Sequence, residues 1–320
     1  MATGDQIFAN GRIAVMSTKL WGRDKFNRLA ESVSVAECVR ILTESGVGGG
    51  LTIATPNDYE LLLKAETDEL LKLFAESCYD KQAQKYFFAK FDYVNAKVLM
   101  KSKYMRTDGT PYCFVGATYD PQKLQADFVN DNYSACSSAM AYACREIDGQ
   151  FADGNRSPQV IDKILDNSMY CDMQVASICG KGKLLKKLFA WEVDTRNLML
   201  IFRAKKAELS QEAFEENVIR RGTISAKVLL SLYDGANAEV LSEVYRKFYT
   251  LCNNVDSLVE AEKAAKRGRD EIVRAYADAL TLQPLADYFY KKCDEIDNIR
   301  YIVIAVKNGL DADKIKENIK

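Results

Sequence analysis

An asparagine recurs at Asn95, Asn197 and Asn298, 102 and then 101 residues apart, each time in matching surroundings. Three places before it stands an acid: Asp92, Asp194 and Glu295. One, four and five places after it stand apolar residues: Ala96, Leu99 and Met100, then Leu198, Ile201 and Phe202, then Ile299, Ile302 and Val303. Those offsets share one face of an α-helix, whereas along a strand they would be split between two faces. The period therefore calls for three comparable blocks, each closing with a helix that buries the same stripe. Catalytic groups are rarely triplicated, so the acid reads as a polar i,i+3 contact within each closing helix. The asparagine reads as a bond to the backbone of a neighbouring helix.

A second landmark keeps the same spacing. Thr55-Pro56 and Ser157-Pro158 lie 102 residues apart. Each pairs a hydroxyl N-cap with proline at the first helical position, where the missing N–H costs nothing. The third block offers a capping-box pattern instead, Ser257 with Glu260 three residues on. Turn-forming stretches follow the first two closing helices, at Thr107 to Pro111 and at Ala207 to Gln211. Three all-helical domains are predicted, 1–112, 113–212 and 213–320. Threefold pseudosymmetry within one chain suggests a funnel or socket around an axis, with an open superhelical array as the alternative.

Composition narrows the function classes. The chain has no histidine, which removes the commonest general base and metal ligand. Its nine cysteines form no CxxC pair, so they read as buried structural residues and not as a zinc or redox site. A formal charge of −1 gives no global reason to bind nucleic acid. Residues 1–12 show no signal-peptide pattern, and no run approaches the ~20 apolar residues of a membrane span, so a soluble chain is expected. The Gly46 to Gly50 run lacks the following lysine of a phosphate loop and reads as an interhelical loop. Gly180 to Lys183 is a basic turn before a helix. No catalytic residue, metal ligand, cofactor or small-molecule substrate is predicted.

Basic clusters are the remaining candidates. They include Lys97 with Lys101 and Lys103, Lys181 to Lys187, Arg203 with Lys205 and Lys206, Arg220-Arg221, and Lys263 to Arg269. A solvated helical face accounts for any one of them. Lys97 and Arg300 share an offset from their asparagines, and Lys101 and Arg203 share the next one along the same face. Lys97, Lys101, Arg203 and Arg300 are therefore the predicted partner-binding residues, a basic face repeated once per block.

The repeat residues also carry a family resemblance. The stretch from Glu295 through Leu310 and on to Glu317 resembles the carboxy-terminal signature of the C-subunit family of V-type (A-type) ATP synthases, which includes the d subunit of the vacuolar ATPase. Asp92 to Lys97, Asp194 to Asn197 with Phe202 to Lys205, and Ala9 through Leu42 are similar to its other helices. Met199 stands where the family usually has lysine, and the Gly46 to Gly50 turn is not a family feature. The resemblance implies a non-catalytic funnel of three helical domains. Its partners would be the central stalk subunits D and F and the membrane rotor ring, and the basic clusters add lipid headgroup contact as a further expectation. It would sit peripherally at the cytoplasmic face of the membrane, held through the ring. A helical scaffold or adaptor of another complex is the alternative, although such arrays use repeats of about 30 to 47 residues.

Overall fold

The computed structural model describes residues 2–154, 157–254, 258–278 and 281–319. Every regular element among them is helical. In chain order these are α1 (Ala2–Ser17), α2 (Arg23–Ala30), α3 (Val35–Glu44), α4 (Tyr59–Ser77), α5 (Lys81–Met105), α6 (Pro121–Val129), α7 (Ser138–Ala152) and α8 (Pro158–Cys179). They continue with α9 (Leu184–Lys206), α10 (Gln211–Asn217), α11 (Ala226–Tyr233), α12 (Glu243–Asn253), α13 (Val259–Ala275), α14 (Gln283–Lys307) and α15 (Ala312–Asn318).

The three closing helices are α5, α9 and α14, and their boundaries follow from local chemistry. Asp80 caps α5, its carboxylate accepting the N–H groups of Gln82 and Ala83 at 2.9 and 3.3 Å. That helix stops where Arg106 turns left-handed at φ 54°. Ser157 accepts the N–H of Gln159 at 3.3 Å, and Pro158 opens α8. Thr55 meets Asp58 instead: both its N–H and its hydroxyl donate to one carboxylate oxygen at 2.9 Å, just ahead of α4. Ser257 lies outside the described residues. Ser210 caps α10 by accepting the N–H of Ala213 at 3.2 Å, so the second linker begins a helix within itself.

The chain forms two compact units. One comprises Met1–Gln84, Lys90–Ala135 and Ala277–Lys320, and the other Lys85–Ala89 and Cys136–Tyr276. In the first, α14 packs against α1, α2, α3 and α4, and α15 closes over α2. Its core joins Phe26, Leu29, Leu42, Leu62 and Leu63 to Ile299, Ile302 and Val303. In the second, α7 and α8 pair as a hairpin and α9 packs against α8, α11, α12 and α13. Leu198 and Ile201 lie there among Phe214, Leu229, Phe248 and Cys252. Ala96, Leu99 and Met100 of α5 are buried as well.

Eight of the nine stripe residues are thus buried, at roughly 1.5–3 kcal/mol for each large side chain. The exception is Phe202, which is half-buried and tilted against Tyr249 with ring centroids 5.4 Å apart. The glycine run is packed at its centre, while Gly46, Gly49 and Gly50 are exposed. Gly48 has φ +85°, and a Cβ there would meet Leu62 Cδ2 at 2.6 Å. Val47 beside it is in the core.

Candidate functional site

The acid of each closing helix, and the asparagine of the first two, face backbone, and the backbone they face is not helical. Asn95 donates its side-chain amide to the carbonyl of Phe114 at 2.8 Å and accepts the N–H of Phe114 at 2.8 Å. Asn197 does the same with Ile219, at 2.9 and 3.0 Å. An asparagine side chain carries a donor and an acceptor side by side, as a peptide group in a ladder does, so it mimics a strand partner for one residue. The predicted asparagine–backbone bond is therefore present at these two positions, but its partner is the linker and not a helix.

One turn earlier on each helix, the acid takes N–H groups a few residues further along. Asp92 accepts from Thr118 at 2.9 Å. Asp194 accepts from the N–H of Thr223 at 2.9 and 3.1 Å, from Ile224 at 3.1 Å, and from the hydroxyl of Thr223. Thr118 stands three residues before α6, and Thr223 three before α11. Asp194 is wholly buried and no cation pairs with it among the described residues, so these donors carry its charge. Burial pushes the Tyr245 hydroxyl up, and the neighbouring Asp194 carboxylate pushes the same way.

The third acid reaches across 274 residues of sequence: Glu295 accepts the N–H of Trp21 at 2.6 Å, two residues before α2. Thus α5 holds the segment before α6, α9 the segment before α11, and α14 the segment before α2.

Around Glu295 the structure builds a charged cluster that sequence spacing gave no reason to expect. Lys292 lies between Glu295 and Glu66, at 2.6 Å from each. The remaining oxygen of Glu295 takes the Trp21 N–H, and that of Glu66 takes the N–H of Gly48 at 2.8 Å. Burial alone would push Lys292 down, but Glu295 and Glu66 outweigh it and hold the ammonium above its ordinary value. The cluster sits in a cleft of about 390 Å³ that Arg12, Lys19, Trp21, Glu69 and Tyr288 also line. Both positive and negative groups line it, and no group of three metal-ligating side chains occurs among the described residues.

The predicted basic face is spread over the three closing helices. Lys97 and Lys101 are half-buried on α5. Arg203 is exposed and pairs with Glu262 at 3.1 Å. Arg300 is bound by Glu60 at 3.1 Å and by Asp297 at 3.0 Å. The arginines therefore present partly neutralised charge. Such exposed pairs are worth about 0–1 kcal/mol and exchange readily.

The family described as ATP synthase (C/AC39) subunit matches residues 9–318. Relatives include the A-type ATP synthase C subunit of Haloquadratum walsbyi, 21% identical across 97% of this chain and 96% of that one. The same-named protein of Methanococcoides burtonii is 24% identical over 52% of this chain and 50% of its own. That of a Desulfurococcus species is 27% identical over 42% of this chain and 38% of its own. The matches to the latter two thus span half or less of those relatives.

Proposed function

The chain belongs to the ATP synthase (C/AC39) subunit family, and from that premise we propose that it is the non-catalytic central-rotor subunit of an A/V-type rotary ATPase. It links the central stalk, subunits D and F, to the membrane rotor ring and transmits torque during ATP-coupled ion transport. In this reading the domains 1–112, 113–212 and 213–320 surround a pseudo-threefold axis as a funnel. The protein is peripheral, on the cytoplasmic face, and is held there through the ring. No helix among the described residues is long and apolar enough to cross a membrane.

The observation that carries the reading is the order of the three acid contacts. Asp92 holds Thr118, Asp194 holds Thr223, and Glu295 holds Trp21. With α14 bonded to the segment before α2, the two ends of the chain share one core and leave no loose end at which torque would be lost, and dense helical cores pass strain on instead of absorbing it. The acids of the closing helices are engaged by backbone N–H groups, and Glu295 by Lys292 as well.

Lys97, Lys101, Arg203 and Arg300 are the partner-facing residues in this proposal. Docking would exchange Glu262, Glu60 and Asp297 for acidic groups of the stalk or ring.

The test is ATP-driven ion transport in vesicles, measured beside ATP hydrolysis, with the parent ATPase prepared with and without this chain. Persistent hydrolysis with lost transport and a detached head is the expected result. Undiminished transport without the chain would overturn the reading.

A further inference from the structure

The turn between α8 and α9 gathers cations and exposed aliphatic side chains at one end of a helical hairpin. From Met173 through Trp191 the sequence contains no acid, yet it contains Lys181, Lys183, Lys186 and Lys187. All four lysines are exposed. A fifth cation joins them against α8, where exposed Arg221 donates to Gln174 Oε1 at 2.8 Å. On the last turns of α8, Val175 and Ile178 are 53% and 57% exposed. Three residues apart, they share one helical face. Gly180 and Gly182 bracket Lys181, with Gly182 at φ +78°, so Lys181 and Lys183 follow the aliphatic face within a tight turn, and Lys186 and Lys187 stand on the first turns of α9.

The repeat supplies an internal control. The corresponding connection between α4 and α5 carries Tyr79 and the capping Asp80, followed by Lys81 and Lys85 on the first turns of α5, and the one between α13 and α14 runs Tyr276-Ala-Asp-Ala-Leu-Thr-Leu282 without a lysine. A helical hairpin of this architecture thus has no structural need for an acid-free tip with four lysines.

We propose that this tip binds the surface of an anionic lipid bilayer. The lysines and Arg221 meet headgroup phosphates while Val175 and Ile178 enter the acyl boundary beneath them. An acidic protein face would engage the lysines but leave the aliphatic pair unmatched, whereas a bilayer uses both. The inference rests on the rotor reading only for placing a membrane nearby.

The test is flotation of the full-length chain with phosphatidylcholine vesicles containing one-third phosphatidylglycerol, and with phosphatidylcholine alone, at low and high salt. Binding is expected to the anionic vesicles only and to fall as salt rises. K181E/K183E/K186E/K187E should weaken it by at least about tenfold. Ile178→Asp should weaken it several-fold while leaving the salt dependence in place. Circular dichroism of each variant, whose changes are all at exposed positions, separates lost binding from lost folding. Absence of binding to anionic vesicles at low salt overturns the proposal, as does wild-type binding by the quadruple lysine variant. If the lysine variant instead fails to assemble with stalk or ring while the wild type ignores vesicles, the patch belongs to an acidic protein face. Either failure would leave the ion-transport test of the rotor reading standing.

Discussion

Asn197 and Ile219 exchange two hydrogen bonds, amide to carbonyl at 2.9 Å and N–H to side-chain oxygen at 3.0 Å, and both residues are buried. Asn95 and Phe114 repeat the pairing 102 and 105 residues earlier in the chain, but there Phe114 is only half-buried. Water can replace a lost partner at Phe114 and cannot easily do so at Ile219.

Asn197→Leu should therefore cost roughly 2–4 kcal/mol, because it strands a buried N–H and a buried C=O together. Asn95→Leu should cost about half as much. Urea unfolding of the two variants beside the wild type checks both the size and the order. Unchanged stability of Asn197→Leu would remove the structural role assigned to the asparagine.

Lys292→Met should cost about 3–5 kcal/mol, since it leaves Glu66 and Glu295 facing each other without their cation. Adding Glu66→Gln and Glu295→Gln should recover part of that loss. The pH dependence has a definite sign. The folded value of Lys292 is raised, so its contribution is complete below the unfolded value of about 10.4 and fades as pH rises through the folded one. The gap between wild type and Lys292→Met should hold from neutral pH to about 10 and narrow at more alkaline pH. A gap that closes on acidification within the neutral range would contradict the assignment.

Thiol labelling should divide the cysteines by environment. Cys179 is exposed and should react first with a mild alkylating agent. Burial pushes Cys78 up to about 12 and Cys113 and Cys252 up to about 11, so these should stay unmodified at neutral pH until the chain unfolds. Mass spectrometry of partially labelled protein reads the order directly. Fast labelling of Cys78 in the folded chain would be the contrary result.

Reversing Lys97, Arg203 and Arg300 together to glutamate should weaken assembly with the stalk or ring and remove its salt dependence. The fold should lose only about 1–2 kcal/mol, because the ion pairs given up with Glu262 and Glu60 are exposed ones. Binding measured at two salt concentrations decides it. Full-affinity assembly of the folded triple variant would exclude this face.

The closing helices and their stripes were legible because burial on one face of a helix imposes a period that any reader of the sequence can count. Ala96, Leu198 and Ile299 are buried at the predicted places. Ser157 and Pro158 were legible for a similar reason, since a cap is a local pattern. Phe202 escaped the rule because a large ring at the stripe's edge can tilt outward onto Tyr249 and stay half-covered. The contacts of the acids were not legible. Asp194 reaches Thr223 and Glu295 reaches Trp21, and no local spacing records a partner that lies in a linker or at the far end of the chain. Lys292 was invisible to a search for repeats because it has no counterpart: Ala89 and Trp191 hold the equivalent positions. The basic residues were found by type, while the glutamates that answer Arg203 and Arg300 come from other helices.

The bond between Trp21 and Glu295 also sets a timetable for biosynthesis. Its partners are 274 residues apart, so Trp21 is added to the chain roughly 14–55 s before its carboxylate has been made. Through that interval the segment before α2 has no acid to receive its N–H, and the core that α14 completes around Leu29 and Leu62 stays open. The middle of the chain is complete first, and the two ends are joined last. A nascent chain stalled before α14 would thus expose the apolar faces of α2, α3 and α4 together, which is the state a chaperone would meet.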